Sequence, residues 1–81
     1  MIFKLLGPEV DIGTTANSVS SGTLVRIINT GARASANVAY ANGTVYANVT
    51  VSNTESVVIQ KTSTDLVKGA NMLAVPIAFR N

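Results

Sequence analysis

Short runs rich in Val and Ile, broken at close intervals by Asn, Ser, Thr and Gly, recur along the whole chain and leave little room for helices. Thr, Ser and Asn supply 24 of the 81 residues, and Val and Ala a further 21. β-branched side chains lose rotamer freedom in a helix but fit a pleated sheet. Ser and Asn compete with helical backbone hydrogen bonds and favour turns. A chain of this length is one domain, residues 1–81.

Residues 2–6 alternate and stop at Gly7-Pro8, because Pro lacks an N–H and restricts the residue before it. Val10 and Ile12 alternate with Asp11 and Gly13 as a short strand. Residues 14–18 read as a loop, with Val19 returning to the sheet, and residues 23–29 are a strand by β-branched content. Asn42-Gly43 predicts a two-residue type I′ hairpin turn, pairing Ala41 with Thr44, Tyr40 with Val45 and Val38 with Ala47. That register places Val38, Tyr40, Val45, Ala47 and Val49 on one face, and Ala39, Tyr46, Asn48 and Thr50 on the other.

A second hairpin is predicted at Ser52-Asn53-Thr54-Glu55, leading into residues 56–61. Ser63 or Thr64, then Asp65, then Gly69 have the order of one capped helical turn, with Leu66 plugging the corner where the chain crosses between sheets. Residues 72–79 form the last strand, with Leu73, Val75, Ile77 and Phe79 inward. Pro76 on its other face calls for an edge position or an unpaired N–H. Six to seven short strands at this spacing predict an all-β fold, a small antiparallel β-sandwich, with a small β-barrel as the competing closure.

The chain has no His and no Cys, and its acidic residues Glu9, Asp11, Glu55 and Asp65 stand singly. Nucleophilic catalysis needs a base beside the nucleophile, and no motif places one; a Ser–Lys dyad has no supporting pattern. Zinc ligands are missing, the carboxylates are too separated for a calcium loop, and the glycines form no phosphate loop. The expectation is therefore a protein that is not an enzyme, with no catalytic, cofactor or metal residues. Lys61 and Asp65 are placed to form an ion pair of structural weight only, worth about 0–1 kcal/mol if exposed. Asn42-Gly43-Thr44 and Asn48-Val49-Thr50 fit the glycosylation pattern, as an Asn/Thr-rich chain does by chance.

The net charge of +2 comes from Lys4, Arg26, Arg33, Lys61, Lys68 and Arg80, no two adjacent, so a nucleic-acid surface is not expected. The longest apolar run, 72–79, is too short for a membrane helix, and the apolar start halts at Gly7-Pro8. A soluble protein made in a cytoplasm is expected, with no membrane partner.

A core this small is marginal. Burying a large apolar side chain is worth roughly 1.5–3 kcal/mol, while ordering a residue costs about 1.5 kcal/mol. Without disulfides or zinc, association is the remaining device. Alternation leaves Leu24 and Ile28 beside Arg26 on the face opposite Val25 and Ile27, with Val58, Tyr46, Ile2 and Leu6 also turned outward. These seven residues, Ile2, Leu6, Leu24, Arg26, Ile28, Tyr46 and Val58, are the candidate interface, Arg26 its specificity element. The alternative is that both faces are partly covered within the fold itself.

The segments Gly22-Thr23-Leu24-Val25-Arg26-Ile27-Ile28-Asn29-Thr30-Gly31, Glu55-Ser56-Val57-Val58-Ile59-Gln60-Lys61-Thr62-Ser63-Thr64-Asp65 and Ala74-Val75-Pro76-Ile77-Ala78-Phe79 give the chain its one family likeness. In this order it resembles small virion-associated proteins of tailed bacteriophages, particularly phages of marine bacteria. The resemblance implies a particle-surface β-sandwich, a capsid decoration, cement or head-fibre component, often a homotrimer, bound to the major capsid protein or another virion protein. Its expected location is the virion. The chain departs from the more familiar decoration proteins by entering an apolar strand within a few residues, where they carry an extended arm. A receptor- or carbohydrate-binding module of a tail or fibre is the alternative, with Tyr40 or Tyr46 stacking on a sugar.

Overall fold

A computed structural model describes the backbone of residues 2–80 and the side chains of residues 4–78. Eight strands, all paired antiparallel, form two sheets: β1 (Ile2–Leu5), β2 (Val10–Asp11), β3 (Leu24–Asn29), β4 (Ala34–Ala39), β5 (Val45–Val51), β6 (Ser56–Gln60), β7 (Leu66–Gly69) and β8 (Met72–Arg80). The first sheet runs β1-β8-β3-β6, with β2 beside β8 on the β1 side; the second runs β5-β4-β7. No helix occurs among the described residues. The fold is the all-β sandwich that the strand spacing predicts, with separate sheets rather than a barrel.

The core lies between the sheets. Val25, Ile27, Met72 and Ala74 of the first sheet meet Ala36, Val38, Val51 and Val67 of the second, and Ile12 and Val19 close it from the β2–β3 connection. Asn29 is fully buried at the corner where β3 leaves its sheet. Its amide donates to the carbonyls of Ala32 (2.9 Å) and Val51 (2.8 Å) and accepts the Gly31 N–H (2.8 Å). A buried amide with its donors and acceptor used costs little to hide and ties both sheets at one point.

Four local expectations need correction. The Asn42-Gly43 turn is not type I′: only Gly43 has positive φ (+92°), the Gly43 N–H bonds the Tyr40 carbonyl at 2.8 Å, and the Tyr40 N–H bonds the Thr44 carbonyl at 2.9 Å. This is the three-residue hairpin loop, a turn from Tyr40 to Gly43 that ends on the left-handed glycine. A bulge follows, since Val38 pairs with Ala47 while Ala39 pairs with Val45. Tyr46 is the extra residue, and the faces of Val45 and Tyr46 are exchanged relative to the expected register. Val45 lies across from Ala39, and Tyr46 stacks on Tyr40 with ring centroids 4.5 Å apart.

Ser52-Asn53-Thr54-Glu55 does reverse the chain, with the Glu55 N–H on the Ser52 carbonyl at 2.9 Å, but it joins no hairpin. The Thr54 N–H and the Glu55 carbonyl bond Asn29 instead, which leads β6 onto β3 in the other sheet. Residues 66–69 are strand β7 rather than a helical turn, paired with β4 and bridged at its outer edge by Asn17. Val67, fully buried, fills the position expected of Leu66, which is half-buried.

In β8 the core face carries Met72 and Ala74, while Leu73 and Val75 lie across from Ile28 and Arg26 on the outer face. Val75 and Ile77 are nonetheless buried, as expected of inward residues, while Leu73 is half-buried; the side chain of Phe79 lies outside the described residues. Pro76 sits in the middle of the sheet, not at an edge. Its carbonyl takes the Leu6 N–H at 2.9 Å, so its missing N–H points the same way, to where Gly7-Pro8 breaks the edge between β1 and β2.

Candidate functional site

The β4–β5 hairpin projects beyond the core. Every residue from 40 to 50 is exposed, although β4 beneath it is largely buried. Among the described residues, Tyr40, Val45, Tyr46 and Val49 are four of the seven large apolar side chains that remain exposed, the others being Leu5, Leu6 and Val58. Register explains why. Ala47 and Val49 share the core face with their partners Val38 and Ala36, but β5 is an edge strand and the opposite sheet ends at β6. Their side chains therefore line an open cleft of about 180 Å³, walled by Val38, Tyr46, Ala47 and Val49 on one side and by Ile59 and Gln60 of β6 on the other.

A polar latch closes one end of this cleft. The Tyr46 hydroxyl donates to Asp65 at 2.5 Å, and Asp65 is almost fully buried in the β6–β7 crossover. That hydrogen bond, then burial, then the carboxylate's charge hold the Tyr46 phenol above its ordinary pKa. Lys61, also buried, donates to the carbonyls of Thr62 (3.2 Å) and Ser63 (3.3 Å). Loss of water pushes its ammonium below the usual Lys value, and the nearby Asp65 charge partly offsets this. The expected Lys61–Asp65 pairing is thus a charge-to-charge proximity, while each group makes its hydrogen bonds elsewhere.

These groups pin the bulged tyrosine to the crossover. They place no nucleophile beside a base, and no group of three or more His, Cys, Asp or Glu stands together among the described residues. The cleft is also smaller than the roughly 300–1,000 Å³ typical of small-molecule sites. An apolar side chain of a partner fits it better than a ligand molecule.

Of the candidate interface residues, Leu24, Arg26 and Ile28 do share the outer face of β3, with Val58 directly opposite Arg26 on β6 and Val75 opposite it on β8. Leu24, Arg26 and Ile28 are half-buried there and Val58 is exposed. Leu6 lies exposed near β1 on the far edge, apart from this group; Ile2 is in β1, but its side chain lies outside the described residues. Tyr46 stands on the other sheet, with the hairpin. Tyr40, Val45 and Val49 were not among the candidates. The signal that points to them is charge: residues 34–54 form the longest stretch of the chain without a charged side chain.

Compared with protein-family models, with curated proteins and with solved structures, the chain matches none.

Proposed function

We propose that the chain is a non-enzymatic structural subunit that oligomerises and docks on a larger particle, as a decoration, cement or head-fibre component of a tailed-phage virion. The virion setting rests on the sequence resemblance. Association rests on one observation: residues 40–50 stay uncovered on both faces of an apolar hairpin. Exposed apolar side chains gathered on one uncharged hairpin favour a contact site. Many weak copies of such a contact, repeated by a shell's symmetry, hold by avidity. The runner-up, a carbohydrate-binding module, is favoured only by the exposed ring of Tyr40, which already packs against Tyr46.

The test is quantitative mass spectrometry of purified particles. The wild-type chain is expected at capsid-scale copy number, and the double variant Val45→Glu/Val49→Glu, which alters exposed positions only, at least tenfold lower. Absence of the wild-type chain from particles, or full retention of the folded double variant, overturns the proposal.

A further inference from the structure

The sandwich has four open or closable edges, and three of them differ from the fourth in a way that names a partner. The outer edge of β7 is already bonded, by Asn17 to Val67 (3.0 and 2.9 Å) and by the Gly69 N–H to the Ile12 carbonyl (3.0 Å). The β1–β2 edge carries Lys4, Glu9 and Asp11 and is broken at Pro8, the devices that keep edge strands from pairing. The β6 edge is uncharged but short, five residues, and Val57 and Ile59 are half-buried. β5 has seven residues, no charge and no proline, and is exposed from Val45 to Thr50; its bulge at Tyr46 lies near one end and leaves Ala47–Val51 in regular register.

β5 is also complementary to itself. Its sequence, Val45-Tyr46-Ala47-Asn48-Val49-Thr50-Val51, is centred on Asn48. Two antiparallel copies keep their core faces on the same side only in registers centred on a residue. Centring on Asn48 pairs the regular stretch of the strand that lies beyond the bulge at Tyr46. It sets Ala47 against Val49 of the second copy, both on the cleft side, and leaves the bulged Tyr46 at the end of the paired stretch. Asn48 meets Asn48, extending its existing pairing with Asn37 into a row of four amides across the joined sheets. An amide both donates and accepts, so it can pair with its own copy. A charged residue here would meet its own like charge, and none is present.

We infer that two copies of the chain pair antiparallel along β5, about a two-fold axis at Asn48, joining their three-stranded sheets into one of six strands. This deepens the association reading above and rests on it. The join covers Ala47 and Val49, the cleft residues that β6 leaves open. As a strand-to-strand contact of modest area it belongs to the weak class of interfaces, strengthened where copies are held together.

Charge exchange at the axis tests the register. Asn48→Lys alone and Asn48→Asp alone should each be folded by circular dichroism and monomeric by sedimentation equilibrium, at concentrations where the wild type is dimeric. An equal mixture of the two should regain dimer, because only a residue facing its own copy is repaired this way. As an independent measurement, Asn48→Cys, the sole cysteine in the chain, should form a disulfide-linked dimer at least tenfold faster than Leu5→Cys, since opposed residues of paired strands lie within disulfide reach. A wild type that stays monomeric overturns the inference, and together with absence from particles it overturns the association reading too. A wild type that oligomerises, with Asn48 variants that behave like it, with no recovery on mixing, or as a trimer, overturns the β5 pairing alone.

Discussion

The Tyr46 hydroxyl reaches across from the bulge of β5 to the buried carboxylate of Asp65, joining the hairpin to the β6–β7 crossover. Because the phenol's pKa is raised in the folded state, folding holds a proton that the unfolded chain releases at about pH 10. The stabilisation is complete below that value and is lost as pH rises through the folded pKa. Tyr46→Phe should therefore be less stable than wild type at neutral pH, with the deficit shrinking above about pH 10. Lys61 has the opposite sign. Its folded pKa is lowered, so the folded state loses its proton first, and stability gains as pH climbs towards the ordinary Lys value, about 10.4. Lys61→Met should remove that gain. Thermal melts of the three proteins across the alkaline range check both slopes, and a Tyr46→Phe deficit that is the same at every pH would show the latch to be unimportant.

Asn29 makes three hydrogen bonds at a fully buried corner, two as donor to carbonyls and one as acceptor. Asn29→Ala leaves the Ala32 and Val51 carbonyls and the Gly31 N–H without that partner, and a loss of about 2–4 kcal/mol is expected from unsatisfied buried groups. Asn29→Asp should be worse at neutral pH. A carboxylate keeps the acceptor but sets a negative charge against two carbonyl oxygens. Protonation restores one donor, so the Asp variant should recover relative to Ala as pH falls. Urea denaturation at neutral and acid pH measures both effects.

How far the sequence reveals this fold depends on whether each decision is local. Asn42-Gly43 marks a reversal, but the loop is one residue longer than the turn those residues suggest, and Val38 meets Ala47 only because the bulge at Tyr46 shifts the register back. The bulge at Tyr46 has no sequence mark, because it is set by where the tyrosine finds Asp65, nineteen residues away. At Ser52-Asn53-Thr54-Glu55 the turn is legible but the partner of the next strand is not, since Asn29 from another strand takes the turn's backbone groups. The capping pattern near Thr64 and Asp65 loses to four backbone pairings between β7 and β4. In β8, apolar residues fill both faces, so alternation cannot say which is the core. Of the candidate surface, Arg26 and Val58 are legible as outward residues of adjacent strands. The exposed hairpin is not, because its exposure comes from the first sheet ending at β6, opposite β5.

Val19, Ser20 and Ser21 follow one another with φ of 55°, 55° and 56°, a left-handed turn built without glycine. The conformation costs an L-residue roughly 1–2 kcal/mol each, and it persists because Val19 is locked in the core and its N–H is held by Asn17 at 2.7 Å. Ser20 and Ser21 are exposed and carry no such anchor. Ser20→Gly and Ser21→Gly should each stabilise by about 0.5–1 kcal/mol, as relief of the left-handed strain outweighs the added freedom of the unfolded chain. Calorimetric melts read the change, and a fall in Tm for both would mean the hydroxyls hold the turn.

Gly69 ends β7 where the chain crosses into β8, and a methyl group placed on it would collide with the sulfur of Met72. Met72 is fully buried in the core and has no exposed side to which it can swing. Gly69→Ala should therefore cost about 1–3 kcal/mol by overpacking. Met72→Ala alone should cost about 2–5 kcal/mol by leaving a cavity. In the double variant the new methyl enters the space that methionine vacates, so the two losses should fall short of their sum by at least about 1 kcal/mol, the coupling expected of residues in contact. Equilibrium denaturation of the four proteins closes this cycle. Strict additivity would mean that the close approach of Gly69 to Met72 does not govern packing at the crossover.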